Sequence, residues 1–174
     1  SVKDGMKLDF VDKVFDIPFE RSPFSVKNLS AYKALKNVVN SNDYNVIHTN
    51  TPVGGILGRL AAKKQRKNGC KVLYTAHGFH FYEGASKKNW IIYYPIEAFM
   101  CKYTDGLITI SEEDYNLSCN KFKVNSFRIH GVGASTARFI SPDCNEITAL
   151  RSKFGYPNDS KIIICTGELN SNKN

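Results

Sequence analysis

The sequence lacks any long apolar run. A helix that crosses a bilayer needs about 20 predominantly apolar residues, and no segment approaches that length. The opening residues, SVKDGMKLDF, also lack the apolar stretch of a secretory signal peptide, so none is expected. We find no internal repeat and no low-complexity segment, and an ordinary globular protein is therefore the expected class.

Cysteines are few, and their spacing indicates no disulfide pair or metal-binding pair. There are five, an odd number, and no two form a CxxC motif. They are Cys70, Cys101, Cys119, Cys144 and Cys165. Because this pattern fits neither a disulfide framework nor a zinc site, a reducing, cytoplasmic location is expected.

The composition is that of a folded domain with an excess of positive charge. The 174 residues are 42% hydrophobic and 23% charged, which is enough to build one substantial core. The formal net charge is +8. Such a balance predicts an anionic partner, either nucleic acid, a phosphorylated small molecule or a membrane surface, and charge alone does not choose among them.

Strand and helix patterns alternate along the chain. Strands are predicted at residues 14–17, 46–48, 71–76, 105–110, 126–130 and 161–165. Helices are predicted from a cap at Ser25 to about residue 39, over 56–67, from about Pro95, after a cap at Ser111, and over 147–154. The alternation predicts an α/β fold, a Rossmann-like parallel sheet with helices on both faces.

The domain boundary is predicted near the end of the chain. Pro157, Asn158 and Asp159 form a linker signal, and the last predicted strand follows it without a helix after it. We therefore expect one Rossmann-like domain over 1–157, and a linker with the first strand of a further domain over 158–174.

Histidines follow the predicted strands. His77 and His80 come directly after the third strand, and Glu83 lies just beyond them. The carboxyl ends of parallel strands are where ligands bind in such sheets, and all four histidines of the chain are predicted to line that single edge. A metal site is disfavoured because a third ligand is unsupported. A structural histidine bonded to backbone and a substrate-contacting His77 remain as alternatives.

Two other strand ends carry candidate residues. HTNTPVGG, which contains Asn50, Thr51, Gly54 and Gly55, leads into a helix N-terminus that favours an anion. A capped Pro-Gly turn explains the same residues without a ligand. Glu112 follows the fourth strand directly and could face the cleft, or it could simply stabilise the start of a helix.

The segment NWIIYYPIEAFMCKY mixes aromatic and apolar residues. Core positions are predicted for Ile92, Ile96 and Phe99. Trp90 and Tyr93, with Lys87 and Lys88 beside them in sequence, fit either the core or a membrane-facing surface.

Taken together, these motifs resemble a known family. HTNTPVGGILGRLAA, YTAHGFHFYEG, NWIIYYPIE, DGLITISEEDY and IHGVG are similar to the amino-terminal domain of family 4 glycosyltransferases of GT-B fold, above all those of bacterial capsule and exopolysaccharide assembly. The resemblance implies half of a two-domain enzyme, with the family's first strand before Ser1 and most of the donor domain after Asn174. A fragment of this kind is expected to be inactive alone.

The resemblance also implies an activity and roles for residues. Members transfer a sugar from a nucleotide-sugar donor with retention of configuration, without a metal or other cofactor, to a glycan acceptor that is often linked to a polyprenyl diphosphate at the inner membrane face. His77 corresponds to the catalytic cleft histidine, and the TNTPVGG loop, with Asn50, Thr51, Gly54 and Gly55, helps to shape the acceptor side. Gly78, His80 and Glu112, which follow other strand ends, are the further candidates for binding the acceptor or substrate. Lys173, in GELNSNK, corresponds to a lysine that binds the donor phosphates, while Glu168 stands where many members carry arginine.

Two alternatives differ in class. A sugar-nucleotide epimerase of the same fold would change the donor without an acceptor. A basic nucleic-acid-binding domain would bind random DNA with a steep salt dependence. The second is disfavoured because the basic residues are spread over several helices without an aromatic recognition motif, so no nucleic-acid partner is expected.

Overall fold

A computed structural model describes residues 10–131, 133 and 140–164. The chain divides into two compact units, of which the first ends at Gly133 and the second begins at Ala134. The described helices are α1 (Lys27–Asn40), α2 (Pro52–Ala61), α3 (Lys63–Lys67), α4 (Lys87–Met100), α5 (Glu112–Lys121) and α6 (Cys144–Phe154). The strands are β1 (Val46–Thr49), β2 (Lys71–Ala76), β3 (Gly106–Thr109) and β4 (Ser126–Arg128), and a single 3₁₀ turn, Cys101–Tyr103, follows α4.

The strands of the first unit form one parallel sheet in the order β1-β2-β3-β4. The register pairs Thr49 with Tyr74, Ala76 with Thr109, and Thr109 with Arg128. All four carboxyl ends therefore meet at one edge, and the predicted parallel α/β sheet is confirmed.

Glycines let α2 lie close against this sheet. An ideal Cβ at Gly55 would lie 2.6 Å from the Tyr74 ring, and one at Gly58 would lie 2.5 Å from the Thr49 methyl group. Both distances are well inside van der Waals contact. The spacing of Gly55 and Gly58 thus turns one bare side of α2 toward β1 and β2.

The core lies between the sheet and its helices. It is an aromatic cluster that includes Phe79, Phe81 and Phe122, with Leu107 from β3 and Tyr74 from β2. The partly buried Trp90 and Tyr93 of α4 pack against it. The opposite side of the sheet carries Leu73 and Phe127, and Phe127 is more than half exposed within the described part of the chain.

Several predicted elements differ from the structure at their ends. Residues 14–17 are not a strand, because this segment pairs with no strand of the described sheet. Val26, not Ser25, is the cap of α1, and it makes no side-chain cap bond. The Asn28 amide instead holds the preceding turn, since it accepts from Glu20 N at 2.9 Å and donates to Ser22 O at 2.8 Å.

Two helices that contain a proline begin earlier in the structure than the sequence predicted. The helix predicted from residue 56 begins at Pro52, because Thr51 caps it and proline at its first position loses no hydrogen bond. The helix predicted from about Pro95 begins at Lys87, capped by Ser86, so that Pro95 lies inside it. Pro95 removes the bond to the carbonyl of Ile91, a residue that is 73% exposed.

The second unit contains α6, which begins at Cys144 rather than at residue 147. Asp143 and Glu146 form a reciprocal capping box there, and Gly155 ends the helix with φ of +70°. The Arg151 guanidinium then donates to Pro157 O at 2.6 Å. Residues 161–164 are not in a strand, which contradicts that part of the last predicted strand, and Cys165 lies outside the described residues.

Candidate functional site

A pocket of about 420 Å³ opens near the carboxyl edge of the sheet. We call it the carboxyl-edge pocket. Three segments form most of it: the start of α2, the loop after β2, and the middle of α4. They contribute Pro52, Val53 and Ile56, then Gly78, Phe79, His80 and Phe81, then Ile92, Tyr93, Ile96 and Glu97, while Phe24 and Pro23 come from the segment before α1. The walls are thus mostly apolar and aromatic, with few polar groups.

The β1–α2 turn supplies one wall. Thr51 takes an extended conformation, and its side chain accepts a hydrogen bond from Gly54 N at 3.2 Å. Pro52 follows at the first helical position. The turn therefore has the geometry of a capped helix start, and a Cβ on Gly54 would collide with the Thr51 hydroxyl.

The loop after β2 carries both predicted site histidines. His77 is exposed immediately beyond the strand, and Gly78 turns the chain with φ of +131°, a value that favours glycine. His80 then stacks on the Tyr93 ring, with ring centroids 4.6 Å apart. The loop thus brings His80 into the pocket wall, whereas His77 is outside the residues that line it.

Two carboxylates of α5 hold this loop. The buried Asp114 accepts from Phe79 N at 3.3 Å and from the Ser111 hydroxyl at 2.8 Å. Glu113 accepts from Glu83 N at 3.1 Å. Ser111 caps α5 as predicted, and the acids after it also fix the neighbouring loop in place.

Glu97, which lines the pocket, is paired with an arginine buried behind it. The Arg59 side chain is fully buried; its Nη1 lies 2.5 Å from Glu97 Oε1, and its Nε donates to Gly55 O at 3.0 Å. The guanidinium also lies 4.0 Å from the centre of the Tyr74 ring. Burial, with the Glu97 charge as a second cause, raises the pKa of the Tyr74 hydroxyl, so this phenol stays neutral.

The remaining predicted residues lie along the same edge but outside the pocket. Glu112 Oε2 lies 2.9 Å from Arg128 Nη1, and Arg128 Nη2 lies 3.3 Å from His130 Nδ1. Asn50 is exposed at the end of β1. The prediction that all histidines line this edge is wrong for His48, which lies within β1 and bonds the Thr75 hydroxyl across the strands at 2.8 Å.

Sequence reasoning missed three groups that shape the site. Arg59 and Glu97 lie far apart in sequence and have no motif spacing, and Asp114 follows the Ser111 cap, where an acidic residue is explained by the helix start alone. Ile96 and Phe99, predicted as core, are in fact 38% and 49% exposed. Lys173 lies outside the described residues. Within the described ranges, no three His, Cys, Asp or Glu side chains are grouped as a metal would require.

A second cavity, of about 600 Å³, lies at the opposite edge, where β2 and β3 begin. We call it the basic cavity. Its lining includes Lys63, Lys64, Arg66, Lys67, Lys71 and Lys102, with Asp105 as a carboxylate among them. Asp105 accepts from Arg66 Nη2 at 2.9 Å and from Val72 N at 2.8 Å. The hydrogen bond to Arg66 lowers the pKa of Asp105 below its usual value.

Comparison with known families agrees with this geometry. The model of a family described as glycosyl transferase 4-like matches residues 6–111, which is more than half of the chain. The chain belongs to the glycosyl transferase 4-like family. The match covers α1 to α4 and β1 to β3, and therefore every residue that lines the carboxyl-edge pocket.

Three relatives of this glycosyl transferase 4-like chain carry names. EpsD of Bacillus subtilis (strain 168), whose name assigns it to the glycosyltransferases, is 48% identical over 97% of the chain and 45% of its own length. UDP-Gal:alpha-D-GlcNAc-diphosphoundecaprenol alpha-1,3-galactosyltransferase of Escherichia coli is 27% identical over 99% of the chain and 45% of its length. An uncharacterized 41.2 kDa protein in the cps region of Klebsiella pneumoniae is 30% identical over 61% of the chain and 32% of its length.

The chain thus spans less than half the length of each of these relatives. Among the helices of the described residues, none has the combined length and apolar character that crossing a bilayer demands.

Proposed function

We propose that this chain is the acceptor-side part of a retaining glycosyltransferase. In this proposal the enzyme transfers a sugar from a nucleotide-sugar donor to a glycan acceptor in the synthesis of a surface polysaccharide. The observation that carries the proposal is the carboxyl-edge pocket, which lies where open parallel sheets bind ligands and falls within the family match. The proposed domain over 1–157 supplies this pocket, and 158–174 leads into the donor-binding part.

The pocket has the chemistry of a sugar site. Tyr93 and His80 present stacked rings, and sugar rings pack their C–H faces against such aromatic surfaces. Glu97 can accept hydrogen bonds from hydroxyl groups, because the buried Arg59 holds its carboxylate in one orientation. Apolar walls with a few convergent polar groups are typical of specific small-molecule sites.

We assign His77 to the reacting sugar. It is exposed on the same loop as His80, three residues before it and at the end of β2, so a donor held above the sheet edge would meet it. The bond between the anomeric carbon and the nucleotide diphosphate breaks, and a bond to the acceptor oxygen forms on the same face. The proton of the acceptor hydroxyl passes to the departing diphosphate, which leaves with the nucleoside. Positioning and charge neutralisation of the leaving diphosphate supply the catalysis, in which Lys173 binds phosphate and no metal or cofactor takes part.

The acceptor in this proposal is linked to a polyprenyl diphosphate, at the inner face of the membrane. Two features support it. The Escherichia coli relative is named for an undecaprenol-diphosphate substrate. The net charge of +8 suits both an anionic lipid diphosphate and an anionic membrane. Asn50, Thr51, Gly54, Gly55, Gly78 and Glu112 would border this acceptor.

The test is sugar transfer by the protein made from its complete reading frame. His77→Ala is expected to lower the rate of transfer by at least about 10²-fold, as expected for a group at the reacting centre. The matched control is His130→Ala, which removes an exposed histidine of the same edge to which this proposal gives no contact with substrate, and it is expected to transfer sugar at the parent's rate. Equal rates in the His77 variant and the parent would remove His77 from the site. Conversion of the donor without acceptor would contradict a transferase and indicate an epimerase.

A further inference from the structure

Five lysines that line the basic cavity form no ion pair within the described ranges of the chain. They are Lys63, Lys64 and Lys67 of α3, Lys71 at the start of β2, and Lys102 in the 3₁₀ turn. Like charges held around one cavity repel one another, and an anion bound between them would relieve this repulsion. The cavity therefore favours a negatively charged ligand.

The carboxylate in the lining does not oppose such a ligand. Among the described residues that line the cavity, only Asp105 carries a carboxylate. It accepts from Arg66 Nε at 3.0 Å and from Arg66 Nη2 at 2.9 Å, and its third hydrogen bond comes from Val72 N at 2.8 Å. The charge of Asp105 is thus balanced by Arg66, and the charges of the five lysines remain for a ligand.

The same pair holds the Arg66 guanidinium in one orientation. Arg66 Nη1 donates to Lys102 O at 3.0 Å, so three of the five N–H groups of this side chain are bound within the described part of the chain. The side chain is 34% exposed, and its two other N–H groups remain for a ligand in the cavity. Arg66 therefore adds directed donors to a site whose lysines act as point charges.

The density of positive charge selects the kind of anion. Five lysines and a guanidinium around a cavity of about 600 Å³ require several negative charges on one small molecule. A single carboxylate would leave most of the lysines without a partner, whereas a diphosphate concentrates its charges on two adjoining phosphate groups. A nucleic-acid strand fits less well, because strand-binding sites are long basic grooves with several aromatic rings, and Tyr103 is the one aromatic residue among the described lining residues.

We propose that the basic cavity binds a soluble diphosphate, either free or as part of a nucleotide. Strand β2 begins at the cavity with Lys71 and extends for about 17 Å to Ala76 at the carboxyl edge, so this site is separate from the carboxyl-edge pocket. The bound diphosphate links α3, the start of β2 and the 3₁₀ turn after α4, and it thereby stabilises the first unit. The proposal does not depend on the proposed sugar transfer.

The experiment is calorimetric titration of the chain with inorganic pyrophosphate, at fixed ionic strength and without divalent metal ions. The parent is expected to bind pyrophosphate at least about tenfold more tightly than orthophosphate, which contacts fewer of the lysines at once. The triple variant Lys64→Gln, Lys67→Gln and Lys71→Gln is expected to lower the affinity roughly fivefold for each lysine, or about a hundredfold in all.

A second titration, with adenosine diphosphate, distinguishes the two sources of the diphosphate. Equal affinity for pyrophosphate and for adenosine diphosphate shows that the diphosphate alone is recognised, and tighter binding of adenosine diphosphate identifies a nucleotide as the ligand. The triple variant should lose affinity for both. Pyrophosphate should also raise the melting temperature of the parent but not that of the triple variant.

Matched controls change the same charge elsewhere. Lys33→Gln, Lys36→Gln and Lys121→Gln together remove three exposed lysines of α1 and α5 that lie outside the lining, and this variant is expected to bind pyrophosphate as the parent does. Lys173→Ala should also keep this binding, because the proposed function assigns that lysine to the donor phosphates. In NMR spectra of the parent, pyrophosphate should shift the amide signal of Gly69, which lines the cavity.

Three outcomes would overturn the proposal. The parent could leave pyrophosphate unbound at millimolar concentration, whether or not it binds a random oligonucleotide. The triple variant could bind pyrophosphate as tightly as the parent, or the matched lysine control could lose as much affinity as the triple variant, which would show a general effect of net charge. Because this binding requires no sugar donor and no turnover, failure here leaves the proposed transfer intact, and failure of the His77 test leaves the diphosphate site intact. Circular dichroism of each variant confirms that it is folded, as expected for exposed lysines.

Discussion

Removal of one partner from the Arg59–Glu97 pair is expected to destabilise the first unit strongly. Arg59 is fully buried, while the Glu97 side chain is only 11% exposed. In Arg59→Met the Glu97 carboxylate would lose both guanidinium bonds and would remain buried without a counter-charge. Breaking a buried pair in this way costs about 3–5 kcal/mol.

The double substitution gives the sharper expectation. In Arg59→Met with Glu97→Gln, no unpaired charge remains in the pocket wall, and the methionine can still pack on the Tyr74 ring. The double variant should therefore lose less free energy of unfolding than the two single variants lose in sum. The difference, which is the coupling energy of the pair, is expected to be about 1–3 kcal/mol. Both variants that replace Arg59 also lose the hydrogen bond from Arg59 Nε to Gly55 O. Part of the loss in stability therefore remains in the double variant.

The assay is urea unfolding followed by circular dichroism, at neutral pH, for the parent, both single variants and the double variant. The matched control is Arg66→Met, which breaks a pair whose side chains are 34% and 24% exposed and should cost less. The reasoning fails if Arg59→Met unfolds at the parent's urea concentration, or if the two single losses simply add.

Two further perturbations follow from the packing of the sheet. Asp105→Asn should destabilise by about 1–3 kcal/mol at neutral pH, through lost bonds to Arg66 and Val72 N. The pKa of Asp105 is lower in the folded protein than in the unfolded chain, so the difference in stability between parent and variant is fully present above the unfolded pKa of about 3.9. This difference should vanish as the pH falls through the folded pKa. A difference in urea midpoint that grows on acidification would contradict the prediction. Gly55→Ala should lower the melting temperature, because the added Cβ would lie 2.6 Å from the buried Tyr74 ring and overpacking costs about 1–3 kcal/mol. The control is Gly133→Ala, whose added Cβ would meet no neighbouring atom within 4 Å, and it should melt as the parent does.

Much of the fold could be predicted from sequence because its signals are local. Short β-branched runs placed β1 to β4 within two residues of their ends. Ser111 marked the start of α5 because its side-chain hydroxyl accepts a hydrogen bond from Asp114 N. The two misplaced helix starts share one cause, since each helix contains a proline: Pro52 at the first position of α2, where no hydrogen bond is lost, and Pro95 in the interior of α4.

The candidate site was less predictable because its contacts are distant in sequence. The sequence predicted the position of the carboxyl-edge pocket, from His80 and Gly78 after β2, but not the other residues that form it. Arg59 and Glu97 meet across thirty-eight residues, which no spacing rule reports. The roles of His77, Asn50, Thr51, Glu112 and the glycines stay predictions, and packing against Tyr74 already accounts for Gly55.

From β2 onward, each strand of the described sheet bonds to the strand that precedes it along the chain. A nascent polypeptide leaving the ribosome can therefore assemble this sheet progressively, because every new strand finds its neighbour already synthesised. Non-local pairings slow folding through loop-closure entropy, and this order keeps each closure short. During synthesis, α2 and the β1–β2 pair can form a folded nucleus before the residues of β4 exist.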